Sequence, residues 1–478
     1  MVAISKEKVR AHACRRSLHY FLRQAWQEIE PGTKFVNGRH VECLCEHLQA
    51  VSSGQIRRLL INVPYRTSKS TIVSTIWPSW DWIDHPWRQF LTIAHKASLT
   101  IRDTRKMRIL LRSKWYQDKF PIAFSSDQNQ KSRFENDSMG CRIACGVKEG
   151  ITGEGGHIII CDDLHDRDGA MSDVKRKSTI ETFNEKILNR LNDPEKGAIV
   201  VIGQRLHEGD IFGELLATGG WEHICLPMRY EPEHPHLSRT SLGFRDWRTQ
   251  KGELLWPERF GEEILAEHEK SLGSYGTAAQ LQQNPVPIGG GLFKVQHFTP
   301  VESPPTLIRR AVRYWDKAAT DSVESLEADF SAGVLVGEGR DGYYYILDVV
   351  HGQWSPAERN IRIEETAKID KARPFNVQLW VEQEPGSGGK ESALLTKREL
   401  VEYGARAETV SGKGSKIVRA LNWQPTAEGG MVRMVRAPWN SAFLKEITMF
   451  PLGKRDDQMD AASGAFAKLL LKSNVWAA

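Results

Sequence analysis

Three short stretches carry residue types suited to phosphoryl chemistry. The first, INVPYRTSKST (61–71), ends in Lys69-Ser70-Thr71 after an apolar run and a proline. Backbone N–H groups at a helix N-terminus converge on anionic oxygens, a lysine neutralises terminal phosphates, and a hydroxyl holds magnesium. Against the pattern GxxxxGK[ST], Lys69 and Ser70 match, while Val63 and Ser68 stand at the two glycine positions. Taken alone, the stretch reads more readily as a helix start capped by Ser68. The second stretch, HIIICDDLHD (157–166), is an apolar strand ending in Asp162-Asp163. One carboxylate there suits the magnesium shell and its neighbour suits polarising an attacking water. The third, GAIVVIGQRLHEGD (197–210), presents Gln204-Arg205 at a strand end, a pair suited to sensing a γ-phosphate. Three strand tips carrying Lys/Ser, Asp/Asp and Gln/Arg make a coherent phosphoryl-transfer set.

A second set of acids lies further along the chain. Strand RAVRYWD (310–316) ends in Asp316, strand NVQLWVEQ (376–383) carries Glu382, and the last helix carries Asp456, Asp457 and Asp460. Asp457 and Asp460 are three apart and share a helix face. Carboxylates gathered from distant segments repel unless a cation joins them, so their convergence predicts a site for magnesium or manganese. Two such ions about 4 Å apart activate water and stabilise the leaving oxygen of a phosphodiester. Each acid by itself reads equally as a turn cap, a lysine partner or a favourable first-turn charge. Lys413, Lys416 and Arg419, in SGKGSKIVR (411–419), are candidates for contacting nucleic-acid phosphates, with a solvated loop as the equal alternative.

The elements that must hold these residues follow from hydrophobic periodicity. Helices are predicted over 5–28 and 39–53. Strand 57–63 then precedes helix 69–84, strand 89–94 precedes helix 97–113, and strands follow near 141–147, 157–162 and 197–203. This alternation predicts a largely parallel sheet with helices on both faces. Residues 271–291, rich in Gly, Pro, Gln and Asn, read as a linker. After it, three consecutive strands (310–316, SAGVLVG and YYYILDVV), a helix near 355–370, strand 376–383 and a closing helix 455–472 predict a mixed sheet with an antiparallel edge. The expected organisation is a nucleotide-hydrolysing domain over 1–270, a linker over 271–300 and a metal-nuclease domain over 301–478.

Composition sets few limits. The chain has 478 residues, enough for two or three domains, with 65 basic against 60 acidic residues. The net charge of +5 permits nucleic-acid binding without demanding it. Seven cysteines without a CxxC pair read as reduced thiols. The polar N-terminus lacks a signal peptide's apolar core, and no uncharged apolar run approaches the ~20 residues of a membrane span. These features point to a soluble intracellular protein.

In combination the motifs resemble a family. PYRTSKST looks like the PPRxGKS variant phosphate loop of bacteriophage terminase large subunits, the motors that package viral DNA. CDDLHD is similar to their acidic strand end, IGQRLHEGD to their coupling segment, and LQQNPVPIGGGLFK to their QQxPxxxGGxxF linker. WDKAAT, DFSAG, VEQEPGSGGK and KRDDQMDA look like segments of their nuclease, and the resemblance runs in order from about residue 15 to 470. It implies a P-loop ATPase domain followed by a ribonuclease H-like nuclease domain. Residues 64–71 (Pro64, Tyr65, Arg66, Thr67, Ser68, Lys69, Ser70, Thr71), with Asp162, Gln204 and Arg205, would then bind ATP with Mg2+, Ser70 and Asp162 holding the ion. Arg66 matches the family's loop arginine and Asp163 stands where many relatives have a catalytic glutamate. The helix with Arg102, Arg105 and Arg108 is a candidate source of a trans-acting arginine. Asp316, Glu382 and Asp457 would be core ligands for two Mg2+ or Mn2+, with Asp460 a fourth, Asp329 a weaker candidate, and Asp456 and Glu384 supporting. The resemblance further implies double-stranded DNA as substrate, a portal ring and a terminase small subunit as partners, assembly as a homo-oligomer of five, and action in the host cytoplasm. Two departures stand out: Ser68 replaces the loop glycine, where the backbone must tolerate a Cβ, and Tyr65 replaces a common proline.

The same two chemistries also fit a cellular helicase-nuclease of DNA repair, although 205–300 is short for a second motor domain. A degenerate, non-enzymatic assembly protein is the third reading.

Overall fold

The computed structural model describes residues 6–149, 151–238, 240–286, 291–317, 330–383, 400–409 and 416–470. The chain divides into two compact units, 1–287 and 288–478.

The first unit is built on eight strands: β1 (Arg58–Asn62), β2 (Phe90–Ala94), β3 (Phe124–Asn129), β4 (Arg133–Asn136), β5 (Cys141–Gly146), β6 (Ile158–Asp162), β7 (Ala198–Gly203) and β8 (Glu222–Cys225). They lie in the order β3-β4-β5-β2-β6-β7-β1-β8. Six run parallel, and β3 and β4 add an antiparallel edge. The parallel strands are continuous apolar runs such as IIIC and AIVVI because helices cover both faces. One face packs on Leu18–Ile29, Arg39–Ser52 and Ala97–Arg112, burying Phe21, Leu44, Trp77 and Met107. The other packs Phe183, Ile187, Ile211 and Phe212 against Ile159 and Val201. The predicted strands are all present. The predicted helix 5–28 is broken at Ser17, whose hydroxyl accepts the Tyr20 N–H and starts a second helix.

The stretch read as a linker is ordered structure for half its length. A helix over Glu262–Gly276, broken at Gly273 (φ 67°), continues through Thr277–Leu281. Tyr275, Ala279 and Leu281 are buried, and the Gln282 side chain bonds both the N–H and the C=O of Arg229. The division between the units falls after Pro287. Glutamine side chains that pair with main chain supply the order that Gly- and Gln-rich composition conceals.

The second unit is a seven-stranded mixed sheet of β9 (Phe298–Val301), β10 (Ile308–Asp316), β11 (Ser331–Gly339), β12 (Tyr344–Gly352), β13 (Val377–Gln383), β14 (Arg406–Thr409) and β15 (Val432–Val435). The order is β14-β13-β10-β11-β12-β15-β9, with β10, β11 and β12 antiparallel and the other pairings parallel. The antiparallel strands are therefore central rather than at an edge, because both flanks are extended by parallel strands. Trp315 lies opposite Val381, so Asp316 and Glu382 follow on adjacent strand ends.

Helix Asp457–Leu470 lies against β10 and β11. Its Gly464 meets the ring of Tyr314, where an added Cβ would come within 2.4 Å. That contact sets how close the acids of this helix come to Asp316. Gly464→Ala should therefore destabilise the protein by ~1–3 kcal/mol through overpacking, despite alanine's better helix propensity. Urea denaturation checks this, and an unchanged or raised midpoint would show that the helix is not seated on Tyr314.

Candidate active sites

In the first unit, β6, β7 and β1 are successive neighbours, which brings the chain segments leaving their C-terminal ends together. The segment after β1 carries Lys69 and Ser70, the end of β6 carries Asp162-Asp163, and the segment after β7 carries Gln204-Arg205. Asn62 donates to the Gly203 carbonyl at 3.2 Å and pairs with His223 at 2.8 Å, linking the ends of β1 and β7 to the body of β8.

A cavity of about 570 Å3 opens there, lined by Arg66, Ser68, Lys69, Ser70, Asp162, Asp163 and Gln204 among others. The buried Asp162 carboxylate accepts hydrogen bonds from the Ser70 hydroxyl at 3.1 Å and the Ser74 hydroxyl at 2.9 Å. Burial and the neighbouring Asp163 and Asp103 carboxylates push its pKa up to about 7. Lys69 faces the other aspartate, with Nζ 3.6 Å from Asp163. The Asp163 carboxylate also accepts from the Gln204 N–H at 3.4 Å and sits over Gly203, where a Cβ would lie 2.8 Å from its oxygen. The helix beyond the loop starts as a π-turn over Thr71–Ile76, and the buried Arg142 of β5 donates to the Ser74 carbonyl at 2.8 Å.

The missing glycines have a conformational answer. Ser68 has φ 64°, the left-handed conformation that glycine adopts readily, and Arg66 has φ 62°. Asp163 joins them at φ 48°. Surrounding contacts hold the loop in this shape. Thr67 is fully buried, its hydroxyl donating to the Pro64 carbonyl at 2.7 Å, and its own carbonyl lies 3.3 Å from His40 Nε2. Burial lowers the His40 pKa to about 4, so that ring is neutral. Tyr65 stacks on His268 and hydrogen-bonds it at 2.7 Å. Strain of this kind clusters at ligand-binding loops.

Of the three arginines proposed on helix Ala97–Arg112, Arg102 lines the cavity and bonds Asp103 at 2.8 Å. Arg105 and Arg108 line a separate hollow with Arg112 and Glu28. Arg205 does not line the cavity; it is buried and paired with Asp210 at 3.0 Å. Sequence reasoning missed Trp26, Glu30, Thr33, Asp103 and Arg259 on the cavity wall. Trp26 showed only as part of an apolar helix stripe, which gives no sign that one edge faces a cavity.

In the second unit, the Glu382 and Asp460 carboxylates face Asp316 closely enough to act on it. Burial, and then the neighbouring carboxylates, hold Asp316 well above the usual carboxylate range. Glu382 and Asp460 are raised chiefly by burial. Asp457 is pushed up to about 7 by burial and then by Glu446 and Asp456. Glu446 was not foreseen; it accepts from the Gln458 N–H and side-chain amide, both at 2.6 Å, and so anchors the helix start.

Two cations are drawn into this acidic cluster. Arg419 bridges Glu382 at 3.2 Å and Asp460 at 2.8 Å, and Lys416 bridges Asp456 at 2.6 Å and Asp460 at 2.9 Å. Both lie on the short helix Lys416–Leu421. Read from the sequence as candidates for phosphate contact, with a solvated loop as the equal alternative, both are paired with acids in this structure, where they act as counter-charge to the carboxylates. Lys413, Asp329 and Glu384 lie outside the described residues. The donor set is all oxygen, the chemistry a hard divalent ion requires. Its present arrangement around Arg419 does not fit one: among the described residues no group of three His, Cys, Asp or Glu side chains is disposed to hold a metal ion.

These two units define a class of protein: a parallel-sheet unit with a phosphate-loop cavity, and a mixed-sheet unit with an acidic cluster. Residues 313–469 match the family model for the terminase RNaseH-like domain. The large terminase of a thermophilic bacteriophage superposes with a TM-score of 0.54 at 11% identity, over 89% of this chain and 98% of that one. The same phage protein in complex with ADP gives 0.53 at 11% identity, over 89% and 99%. No curated protein sequence matches. The chain thus has the fold of a phage large terminase, and its second unit is similar to the terminase RNaseH-like domain. Among the described residues no helix is long and apolar enough to cross a membrane.

Strain at Ser68 gives a direct expectation. Ser68→Gly should leave nucleotide affinity within about twofold, because glycine keeps the same loop shape. Relief of the left-handed strain should offset the added freedom of the unfolded chain, leaving stability unchanged or raised by up to ~1 kcal/mol. Calorimetric titration with ADP and Mg2+ checks the first part and urea denaturation the second. A tenfold loss of affinity would mean that the serine side chain itself holds the nucleotide.

Proposed function

We propose that the chain is the large subunit of a phage DNA-packaging motor. ATP hydrolysis in the first unit drives double-stranded DNA into a procapsid, and the second unit cuts concatemeric DNA at the start and end of packaging. The observation that carries this reading is the convergence of Lys69, Ser70, Asp162, Asp163 and Gln204 on one cavity from three neighbouring strand ends. The terminase match over the acidic unit and the ADP bound to the thermophilic-phage relative support it.

The cavity suits ATP with Mg2+. Its volume falls in the usual range for cofactor sites, and it sets Lys69 and Arg66 beside a carboxylate pair. Residues 64–71 would hold the phosphates, with Ser70 and Asp162 taking the ion. The ion's chemistry is neutralisation of charge on the phosphoryl group. Asp163, in contact with the Gln204 N–H and Lys69, would accept a proton from the attacking water. Gln204, on the cavity wall, would sense the terminal phosphate, while Arg205 is engaged with Asp210.

In the second unit, Asp316, Glu382, Asp457 and Asp460 would serve a nuclease using Mg2+ or Mn2+, with Lys416 and Arg419 withdrawn from the acids. Lys413 remains a candidate DNA contact. The proposed partners are a portal ring, a terminase small subunit that selects the site, and further copies of the chain, five on the portal. The site of action is the host cytoplasm.

Two variants separate the activities. Lys69→Ala should lower kcat/KM for ATP by roughly a hundredfold or more while sparing Mn2+-dependent plasmid cleavage. Asp316→Ala should abolish cleavage and spare ATP turnover. Loss of cleavage in folded Lys69→Ala protein would contradict two independent sites. A third expectation concerns the cations: Arg419→Ala should tighten Mn2+ binding, read by the spin-resonance signal of free Mn2+. Unchanged affinity would show that Arg419 does not compete with metal.

A further inference from the structure

Gln283 lies outside the cavity, yet it is among the most constrained residues in the first unit. Its side chain is fully buried and its backbone is left-handed, with φ 55°. A non-glycine residue holds that conformation only when its surroundings over-determine it. Here they do. The Gln283 N–H donates to the Ala279 carbonyl at 3.0 Å and its side-chain amide donates to the Gln280 carbonyl at 2.6 Å. The remaining oxygen, Oε1, accepts the backbone N–H of Arg205 at 3.0 Å, across 78 residues of sequence.

That N–H belongs to the segment leaving β7. One residue earlier, the Gln204 N–H donates to the Asp163 carboxylate, and the Gln204 side chain enters the nucleotide cavity with a buried Oε1 that has no hydrogen-bond partner. Gln283 thus fixes the backbone immediately behind a cavity glutamine and a cavity carboxylate. On its other side it stands shortly before Pro287, where the first unit ends. Its neighbours are tied down in the same way. The Asn284 N–H donates to the Ala278 carbonyl at 2.8 Å, and the Gln282 carbonyl meets His234 Nε2 at 2.8 Å.

We infer that Gln283 is a positioning residue for ATP hydrolysis: its side chain sets the backbone of Gln204 and Arg205, and so links the cavity to the chain leaving the first unit. This rests on the ATPase reading above. A shift of Gln204 toward or away from a terminal phosphate must stretch or relax the Arg205–Gln283 bond. The left-handed backbone of Gln283 is then the element that yields or holds. Positioning of this kind acts on the step rather than on ground-state binding, so it predicts a split between kcat and nucleotide affinity.

The test compares wild type with Gln283→Met, which keeps the volume without hydrogen bonds, and with Gln283→Gly, which relieves the backbone and removes the side chain. Three readouts apply to each full-length protein: steady-state ATP turnover, affinity for a fluorescent ADP analogue, and mass-spectrometric hydrogen exchange of the peptide containing Arg205. Both variants should lose kcat by roughly tenfold, keep ADP affinity within about twofold, and exchange the Arg205 peptide faster. Unchanged kcat in the folded Met variant would overturn the assignment. A parallel loss of kcat and affinity would do the same, since it marks general loosening of the cavity. Wild-type protein that turns over no ATP would instead sink the ATPase reading. In that case the exchange readout still decides whether Gln283 holds Arg205, with unaltered exchange counting against it.

Discussion

The buried carboxylate of Asp162, held by the hydroxyls of Ser70 and Ser74, is the contact on which the first unit's site depends. It ties the end of β6 to the first turn of the helix that follows the phosphate loop. Burying a carboxylate raises its pKa, and Asp163 and Asp103 raise it further, so the arrangement is costly without a cation. Lys69 sits on the adjacent aspartate rather than on Asp162, leaving the buried carboxylate to the two hydroxyls. Burial thus sets aside one carboxylate with a hydroxyl neighbour, the pair a magnesium ion takes in phosphate-loop proteins.

The second unit meets the same constraint by other means. Asp316, Glu382 and Asp460 crowd one region of the sheet, and Arg419 and Lys416 enter it as counter-charges. Removing a partner from such a cluster costs more than the pairing contributes, because it leaves a charge buried and unmatched. Gly464 against Tyr314 and Glu446 at the start of helix Asp457–Leu470 fix the helix that supplies Asp460. In this arrangement the protein's own cations, Arg419 and Lys416, balance the acids.

The fold was legible where apolar runs were long. HIIIC and AIVVI gave β6 and β7 directly, and the alternation with amphipathic helices gave the parallel sheet. β3 and β4 were missed because FSSDQN and RFEN are polar rather than apolar runs, and β8, β9, β14 and β15 have only four residues each. The site's strand-tip residues were legible because their chemistry is local to each strand end. Ser68 was not, since φ is a property of the backbone that a residue name only biases. The pairing of Arg419 with the acids and the tie of Gln283 to Arg205 escaped for a different reason: each joins residues tens of positions apart in the chain. The composition of 271–291 suggested a linker, whereas Gln282 and Gln283 use their amides as surrogate main chain.

On this reading residues 64–71 form a working phosphate loop despite serine and arginine in left-handed backbone. A crystal structure of the chain with Mg2+ and a non-hydrolysable ATP analogue tests it most directly. The expected result is a triphosphate on the amides of 66–71, Lys69 drawn from Asp163 toward the phosphates, and the ion between Ser70 and Asp162. A nucleotide bound elsewhere, or a loop still closed on Asp163 at saturating analogue, would contradict it.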